Sequence, residues 1–206
     1  MDLRYLLRNL LIALVGLALL VLVVVLVIKG IASISGHDTL APGVDITNYN
    51  NTGSSAQLIV DGPINSDTDH RQVRITVSAN QVDIDVLQGY QGTVLDSRTY
   101  SNNQAAYSTF LDALQRKNFS RGLAPTSSTE EYSGYCSAGD RYTFSFNDGS
   151  RDRFNYWTSN CGGGTFRGDA NSSVDLFVDQ IPQSDKGTIK DFYKLSYIPS
   201  NSGLLL

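Results

Sequence analysis

The chain has 206 residues, a net charge of −4 at pH 7, and 41% hydrophobic against 17% charged residues. Leu, Val and Ile are concentrated in the first 28 positions, and the remainder is a polar segment of ordinary single-domain length. Without Asp2, Arg4, Arg8 and Lys29, that remainder has 13 basic and 19 acidic residues, a net charge of −6. This acidity argues against a nucleic-acid-binding protein, which needs a basic patch. Two cysteines and two histidines also exclude a zinc site with four cysteine ligands.

The apolar block near the N-terminus predicts a transmembrane helix over residues 10–28. Its nineteen residues include no charged or strongly polar side chain, and at about 1.5 Å per residue they nearly match the ~30 Å hydrocarbon layer. A cleaved signal peptide is the alternative, but its apolar core is usually about 7–15 residues long. Arg4 and Arg8 precede the block and Lys29 alone follows it, which favours residues 1–9 in the cytoplasm. We therefore expect a single-pass plasma-membrane protein whose C-terminal part lies outside.

The part beyond the membrane divides into three segments. Residues 29–55 are rich in Gly, Pro and Asn, with little periodic apolar content, and are expected to form a stalk or linker. Residues 56–182 carry the regular hydrophobic patterns of an extracytoplasmic domain, and residues 183–206 form a C-terminal tail.

Strict alternation of apolar and polar residues predicts β-strands in the first half of this domain. Val73, Ile75 and Val77 alternate with polar residues, and 82–87 repeats the pattern. Strands are predicted at 56–61, 71–78, 82–87 and 93–100, and the last three are expected to form an antiparallel meander.

Two segments change to helical spacing. The first has Tyr107, Phe110, Leu111 and Leu114 at i, i+3, i+4 and i+7, and either Asn102 or Asn103 can cap its start. The second, residues 173–181, has the same spacing, can be capped by Asn171 or Ser172, and is stopped by Pro182. Together these patterns predict an α+β domain whose antiparallel sheet is covered by two helices.

The two cysteines frame a second strand pair, 141–147 and 152–158. A three-residue loop at 148–150 would set Phe144 opposite Phe154 and Tyr142 opposite Tyr156, which collects the aromatic rings on one inward face. That register also brings Cys136 and Cys161 together at the open end of the hairpin. An oxidising location and an even cysteine count then favour a disulfide over a reactive thiol.

Trp157 alternates with these inward aromatic residues and therefore points to the other face of the hairpin. It is either covered by a second layer, such as the helix at 173–181, or exposed near the Gly162–Gly164 turn. In the second case Trp157, Phe166 and Arg167 would form an aromatic and cationic binding surface suited to a glycan or a peptide. Core packing is the favoured interpretation, because large aromatic residues are highly buried on average.

Metal and catalytic patterns are weak. Asn65, Asp67 and Asp69 have the 1, 3, 5 spacing of a calcium loop, yet His70 stands where such a loop needs Gly and no Glu follows at position twelve. A solvated acidic loop is therefore favoured over a calcium site. A Ser-His-Asp site would have to be built around His70, with no nucleophile-elbow sequence. We assign no catalytic residue and expect no cofactor.

Two resemblances accompany these patterns. The N-terminal apolar helix, the β-rich outer domain and the late disulfide resemble the outline of type IV pilins, although Met1–Tyr5 has no pilin processing site and no Glu precedes Glu130. The stretch from Tyr135-Cys136 through Trp157-Thr-Ser-Asn-Cys161, with Gly164-Thr-Phe166 and Gln180-Ile-Pro182, is similar to uncharacterised single-pass surface proteins of candidate-phyla bacteria such as Saccharibacteria. The second resemblance implies a location and no activity.

The sequence thus favours a membrane-anchored binding or structural protein of the cell envelope. Its expected partners are the membrane, through residues 10–28, and a surface protein or a glycan. An envelope hydrolase that uses a carboxylate or His70 is the alternative, and a pilin-like subunit is the third interpretation.

Overall fold

The computed structural model describes residues 14, 16–25, 40–50, 53–124 and 135–186. The chain divides into two compact units, residues 1–38 and 39–206. In the first unit, residues 14 and 16–25 are helical. Among the residues described here, no helix combines enough length and apolar character to cross a bilayer. The predicted N-terminal tail 1–9 and the remainder of the predicted span 10–28 lie outside the described residues, as does the linker up to residue 39.

The second unit is built on one six-stranded, fully antiparallel sheet. Its strand order is β4-β3-β2-β1-β5-β6. The strands are β1 (Ser55–Asp61), β2 (Arg71–Ser78), β3 (Gln81–Gln88), β4 (Thr93–Ser101), β5 (Arg141–Asn147) and β6 (Asp152–Ser159). All six predicted strands are confirmed to within one or two residues at each end. The α+β class and the meander β2-β3-β4 are confirmed as well.

Alternation along each strand separates a buried inner face from a polar outer face. On β1 the buried residues are Ala56, Leu58 and Val60, and β2 continues the pattern with Val73, Ile75 and Val77. The outer face carries polar cross-strand pairs; Arg74 on β2, for example, lies 3.4 Å from the carboxylate of Asp85 on β3. The inner residues of five strands belong to one hydrophobic core.

Two helices complete that core. Helix α1 (Gln104–Arg116) buries Tyr107, Phe110, Leu111 and Leu114, and helix α2 (Ala170–Val178) buries Val174 and Phe177. Asn103 caps α1 by accepting a hydrogen bond from the amide of Ala106. The cap of α2 is Asp169 rather than Asn171 or Ser172. The carboxylate of Asp169 accepts a hydrogen bond from the backbone amide of Ser172, and the helix begins at the next residue, Ala170. Burial of Asp169 opposes ionisation, but hydrogen bonds from Ser172 and the nearby Lys117 lower its pKa.

The domain extends beyond the predicted boundaries at 56 and 182. A short 3-10 helix (Ile46–Tyr49) precedes β1, and Ile46 is fully buried in the core. The described part of the predicted linker therefore packs on the domain. At the other end, residues 183–186 form a helical turn in which Asp185 contacts Arg98 and Tyr100 of β4. The tail from residue 187 lies outside the described residues.

The β5-β6 hairpin has a different register from the predicted one. Phe144 pairs with Tyr156, and Phe146 pairs with Phe154, a shift of two residues, and the turn spans 148–151 rather than 148–150. The carboxylate of Asp148 accepts hydrogen bonds from the amides of Ser150 and Arg151, which stabilises the longer turn and lowers the pKa of Asp148. A shift of two preserves the inward face. Tyr142, Phe144, Phe154 and Tyr156 all lie in the core, as predicted.

Candidate binding surface at the loop end of the sheet

The strand register brings most of the connecting loops to one end of the sheet. Asp61 on β1 pairs with Gln72 on β2 and with Arg141 on β5. At the same end, Gln88 on β3 pairs with Thr93 on β4. Residues 62–70, 89–92, 135–140 and 160–164 therefore leave or enter the sheet together, and we call this set the loop end. Loops held by a rigid sheet are a common location for binding residues.

A buried ionic cluster lies at the base of the loop end. The carboxylate of Asp61 accepts a 2.7 Å hydrogen bond from the guanidinium of Arg141 and a 3.2 Å bond from the amide of Gln72. The same Oδ1 that accepts from the side-chain amide of Gln72 lies 2.8 Å from Nε2 of His70. The Nδ1 of His70 lies 3.1 Å from the carbonyl oxygen of Pro63. Both ring nitrogens of His70 therefore face an oxygen acceptor.

The cluster extends upward through an aromatic stack. The ring of Tyr90, in the β3-β4 loop, lies parallel to the His70 ring with centroids 4.1 Å apart and an interplanar angle of 13°. The hydroxyl of Tyr90 donates to the carbonyl of Asn65 and accepts from the amide of the same residue. Its backbone amide donates to Asp67 Oδ1 at 2.9 Å. Tyr90 is therefore fixed at three points.

Gly89 makes this approach of two loops possible. It has a φ of +71°, and a Cβ at this position would lie 2.7 Å from the Asp67 carboxylate. A residue with a side chain would meet both the left-handed backbone and that carboxylate. The contact between loops 62–70 and 89–92 therefore depends on glycine.

The disulfide holds the other side of the loop end. Cys136 and Cys161 are bonded, as the sequence predicts. Ile64 donates its amide to the carbonyl of Ser137 at 2.8 Å, which connects the β1-β2 loop to the disulfide loop. The ring of Tyr135 packs edge to face against Trp157, with centroids 5.2 Å apart.

Below this loop, Tyr142 interacts with the carboxyl group of Asp140. Burial, the charge of Asp140 and a hydrogen bond to it raise the pKa of Tyr142. The phenol therefore stays neutral at physiological pH and serves as part of the core.

Three apolar side chains remain exposed on this rigid base. Ile64 is 41% exposed, Tyr90 is 48% exposed and Tyr135 is 42% exposed. Each belongs to a different loop of the loop end. We call Ile64, Tyr90 and Tyr135 the loop-end surface. Val94 and Leu95, at the start of β4, are also exposed. Isolated exposed apolar residues are ordinary, but a group fixed on one rigid end is a candidate interaction site.

The structure does not assemble the predicted surface of Trp157, Phe166 and Arg167. Trp157 does point away from the core face, yet it is only 8% exposed, and Tyr135 rather than α2 packs against it. Phe166 is 5% exposed and stacks on Phe144 inside the core, because the chain after the Gly162–Gly164 turn crosses to the inner side. Arg167 is exposed, and its guanidinium donates to the carbonyl oxygens of Gly164 and Phe166. Trp157 is therefore buried, but beneath Tyr135 on the outer side of the hairpin and not in the hydrophobic core that the favoured interpretation expected.

The catalytic candidate His70 is enclosed. It is fully buried, one nitrogen faces Pro63 and the other faces Asp61, and Tyr90 covers one face of the ring. A general base needs a nitrogen within reach of a substrate proton, and His70 offers no open nitrogen. It acts instead as a structural link between strand and loop.

The calcium candidate is also used internally. Asp67 accepts from the amide of Tyr90, Asp69 accepts from the hydroxyl of Ser66, and the backbone of Asn65 holds Tyr90. In the described part of the chain, no group of three or more His, Cys, Asp or Glu side chains is arranged to hold a metal ion. Asp67 and Asp69 are exposed in this loop.

A separate groove of about 460 Å³ lies between residues 40–45 and 115–122. Apolar residues such as Leu40 and Val44 line one part of it, and Asn118 and Arg121 line another. None of its lining residues belongs to the loop end.

Removal of the disulfide should weaken the domain. The two cysteines are 25 residues apart in sequence, and a crosslink of this length contributes roughly 3–4 kcal/mol in the chain-entropy model. We expect the Cys136→Ser, Cys161→Ser double variant to lose up to that amount of unfolding free energy, measured by urea titration of the full chain. Reductant should shift the wild type toward the variant and leave the variant unchanged. Thiol labelling of unreduced, unfolded wild type should modify neither cysteine, and labelling of both would contradict the bond.

Sequence reasoning did not identify Ile64, Tyr90 or Tyr135 as surface residues. Each lies in a loop without hydrophobic periodicity. The pairing of β1 with β5 brings the loop of Tyr135 to the same end of the sheet as the loops of Ile64 and Tyr90. Strand order locates them, since antiparallel neighbours place alternate connections at one end of a sheet, but the local sequence pattern does not predict that order.

Comparison with known proteins finds no relative on which an assignment could be based. No protein-family model matches the sequence, no curated protein matches it, and no solved structure matches the fold.

Proposed function

We propose that this chain is a membrane-anchored, extracytoplasmic binding protein of the cell envelope, and that its ligand contacts the loop-end surface. The observation that carries the proposal is the rigid presentation of Ile64, Tyr90 and Tyr135 on three connected loops. A surface that is ordered before binding loses less conformational entropy when it binds.

The proposed location rests on the sequence and on the disulfide. The apolar segment 10–28 has the length of a membrane span, and Arg4 and Arg8 favour a cytoplasmic N-terminus. A disulfide at Cys136–Cys161 fits an oxidising compartment. The hydrolase and pilin-like alternatives gain no specific observation among the residues that the structure describes.

Protease treatment of intact cells tests the location. We expect added protease to remove residues beyond the membrane segment while a cytoplasmic control protein survives. Protection of the whole domain until the cells are lysed would contradict the proposed orientation.

Binding to washed envelope fragments tests the surface. The full chain in detergent should sediment with the fragments, and the Ile64→Ser, Tyr135→Ser double variant should sediment roughly tenfold less, because it loses two of the exposed apolar contacts. Leu40→Ser is the matched control, since Leu40 is 52% exposed and lies outside the loop end. Equal sedimentation of wild type and double variant, both folded, would contradict the role of this surface.

A further inference from the structure

We infer that the loop end binds a saccharide, and that a pyranose ring of neutral or amino-bearing character stacks on the exposed face of Tyr90 beside Asp67. The inference rests on the proposed function and names the class of its ligand.

The first support is the geometry of the Tyr90 ring. One face is covered by His70 at 4.1 Å, and yet Tyr90 remains 48% exposed. The exposed area therefore lies on the opposite face and the edge. The phenol is also held by both backbone groups of Asn65, so the ring cannot swing away. A fixed aromatic face that is open on one side suits the flat C–H face of a sugar ring, which gains apolar contact without disturbing the protein.

The second support is the polar composition around this ring. The adjoining loop presents short side chains that carry hydroxyl or carboxylate groups, namely Ser66, Asp67, Thr68 and Asp69. Carboxylate oxygens accept hydrogen bonds and form the stronger, charge-assisted type. Sugar hydroxyls are donors of the matching kind. Asp67 uses Oδ1 for the backbone amide of Tyr90, and this bond holds the carboxylate at the residue that carries the ring.

The third support is the sign of the local charge. Asp67 and Asp69 are exposed, and the nearest cation in sequence, Arg71, directs its guanidinium to the carbonyl oxygens of Thr68 and His70. An acidic sugar would meet two carboxylates, and like charges repel. Neutral sugars and amino sugars avoid this repulsion.

Strand addition by a peptide is disfavoured at the β4 edge of the sheet. Peptides commonly add a strand to an exposed sheet edge. On the edge strand β4, Asp96 and Arg98 form an ion pair on the inner side, and a bulge interrupts the β3-β4 register near Val86. Inward charges and bulges discourage strand addition.

Saturation-transfer NMR on the detergent-solubilised full chain tests the inference. The probes are tetrasaccharides of N-acetylglucosamine, glucosamine and galacturonic acid. We expect the first two to bind and the third to bind at least tenfold more weakly. Tyr90→Leu should lower the affinity for the N-acetylglucosamine probe about tenfold, Tyr90→Phe should lower it less because the ring is kept, and Leu40→Ser should leave it unchanged.

A second variant protects the test against misfolding of Tyr90→Leu. Asp67→Ser removes one carboxylate, and it should therefore reduce the ratio of the affinities for the glucosamine and galacturonic acid probes. Equal binding of wild type and Tyr90→Leu, or preference for the galacturonic acid probe, would overturn the inference. If no probe binds but the chain still sediments with envelope fragments through Ile64 and Tyr135, the saccharide inference is wrong and the proposed function stands. If neither occurs, both fail.

Discussion

Replacement of Asp61 by Asn should destabilise the domain by about 3–5 kcal/mol, because it removes the carboxylate from a buried guanidinium. Arg141 retains only 4% of its side-chain exposure and donates a 2.7 Å hydrogen bond to Asp61. The amide would also change the contact with His70, which has no solvent exposure. The free energy of unfolding, from urea titration followed by circular dichroism, measures the effect.

Asp85→Asn is the matched control for this experiment. It makes the same chemical change in another Asp–Arg pair between neighbouring strands, but Arg74 and Asp85 keep 35% and 25% of their side-chain exposure. Exposed pairs of this kind contribute about 0–1 kcal/mol. The double variant Asp61→Asn, Arg141→Gln should lose less unfolding free energy than the sum of its single changes, since the two side chains contact each other. A loss at Asp61 no larger than at Asp85 would contradict the buried cluster.

Phe119→Ala should lower the free energy of unfolding by about 3–5 kcal/mol, the usual range for truncation of a buried phenylalanine. Phe119 follows α1 and is fully buried. Its ring lies within 5.5–6.4 Å, centroid to centroid, of four others, which come from β5, β6, the 165–167 segment and α2: Phe144, Phe154, Phe166 and Phe177. One truncation therefore leaves a cavity shared by four elements.

Thermal unfolding measures this effect. At roughly 2–4 °C per kcal/mol for a domain of this size, the melting temperature should fall by about 6–20 °C. Val94→Ala serves as the control, because Val94 is 54% exposed and its truncation should change stability by less than about 0.5 kcal/mol. A similar small change at Phe119 would mean that the aromatic core is packed differently.

The elements of the fold were predictable because their signals are local. Alternation identified the strands, and the i, i+3, i+4, i+7 spacing identified α1, since each pattern reflects which side of an element faces the core. The register of β5-β6 was not predictable in this way. Two registers that differ by two residues bury the same rings, and the choice between them depended on hydrogen bonds from the turn amides to Asp148.

The candidate site was less predictable than the fold. His70 stands next to a strand whose periodic residues are Val73, Ile75 and Val77, and nothing in the local pattern indicates that it is buried against Asp61. The burial of Trp157 was likewise not predictable from the local pattern. Alternation gave its direction correctly, but its burial depends on Tyr135, a contact across 22 positions of the chain. Long-range pairing of this kind leaves no periodic trace.

The central place of β1 in the sheet has a consequence for the order in which the chain acquires its structure. Strands β1 to β4 are sequential neighbours and can pair as soon as they are made, but the other edge of β1 has to wait for β5, about 80 residues later. Contacts between distant segments form slowly, and unpaired edges are prone to association during that delay. During synthesis, a four-stranded sheet with an open β1 edge therefore exists before the aromatic hairpin of β5 and β6 arrives. The open edge of β1 is therefore the part of the sheet that is exposed to association until β5 pairs with it.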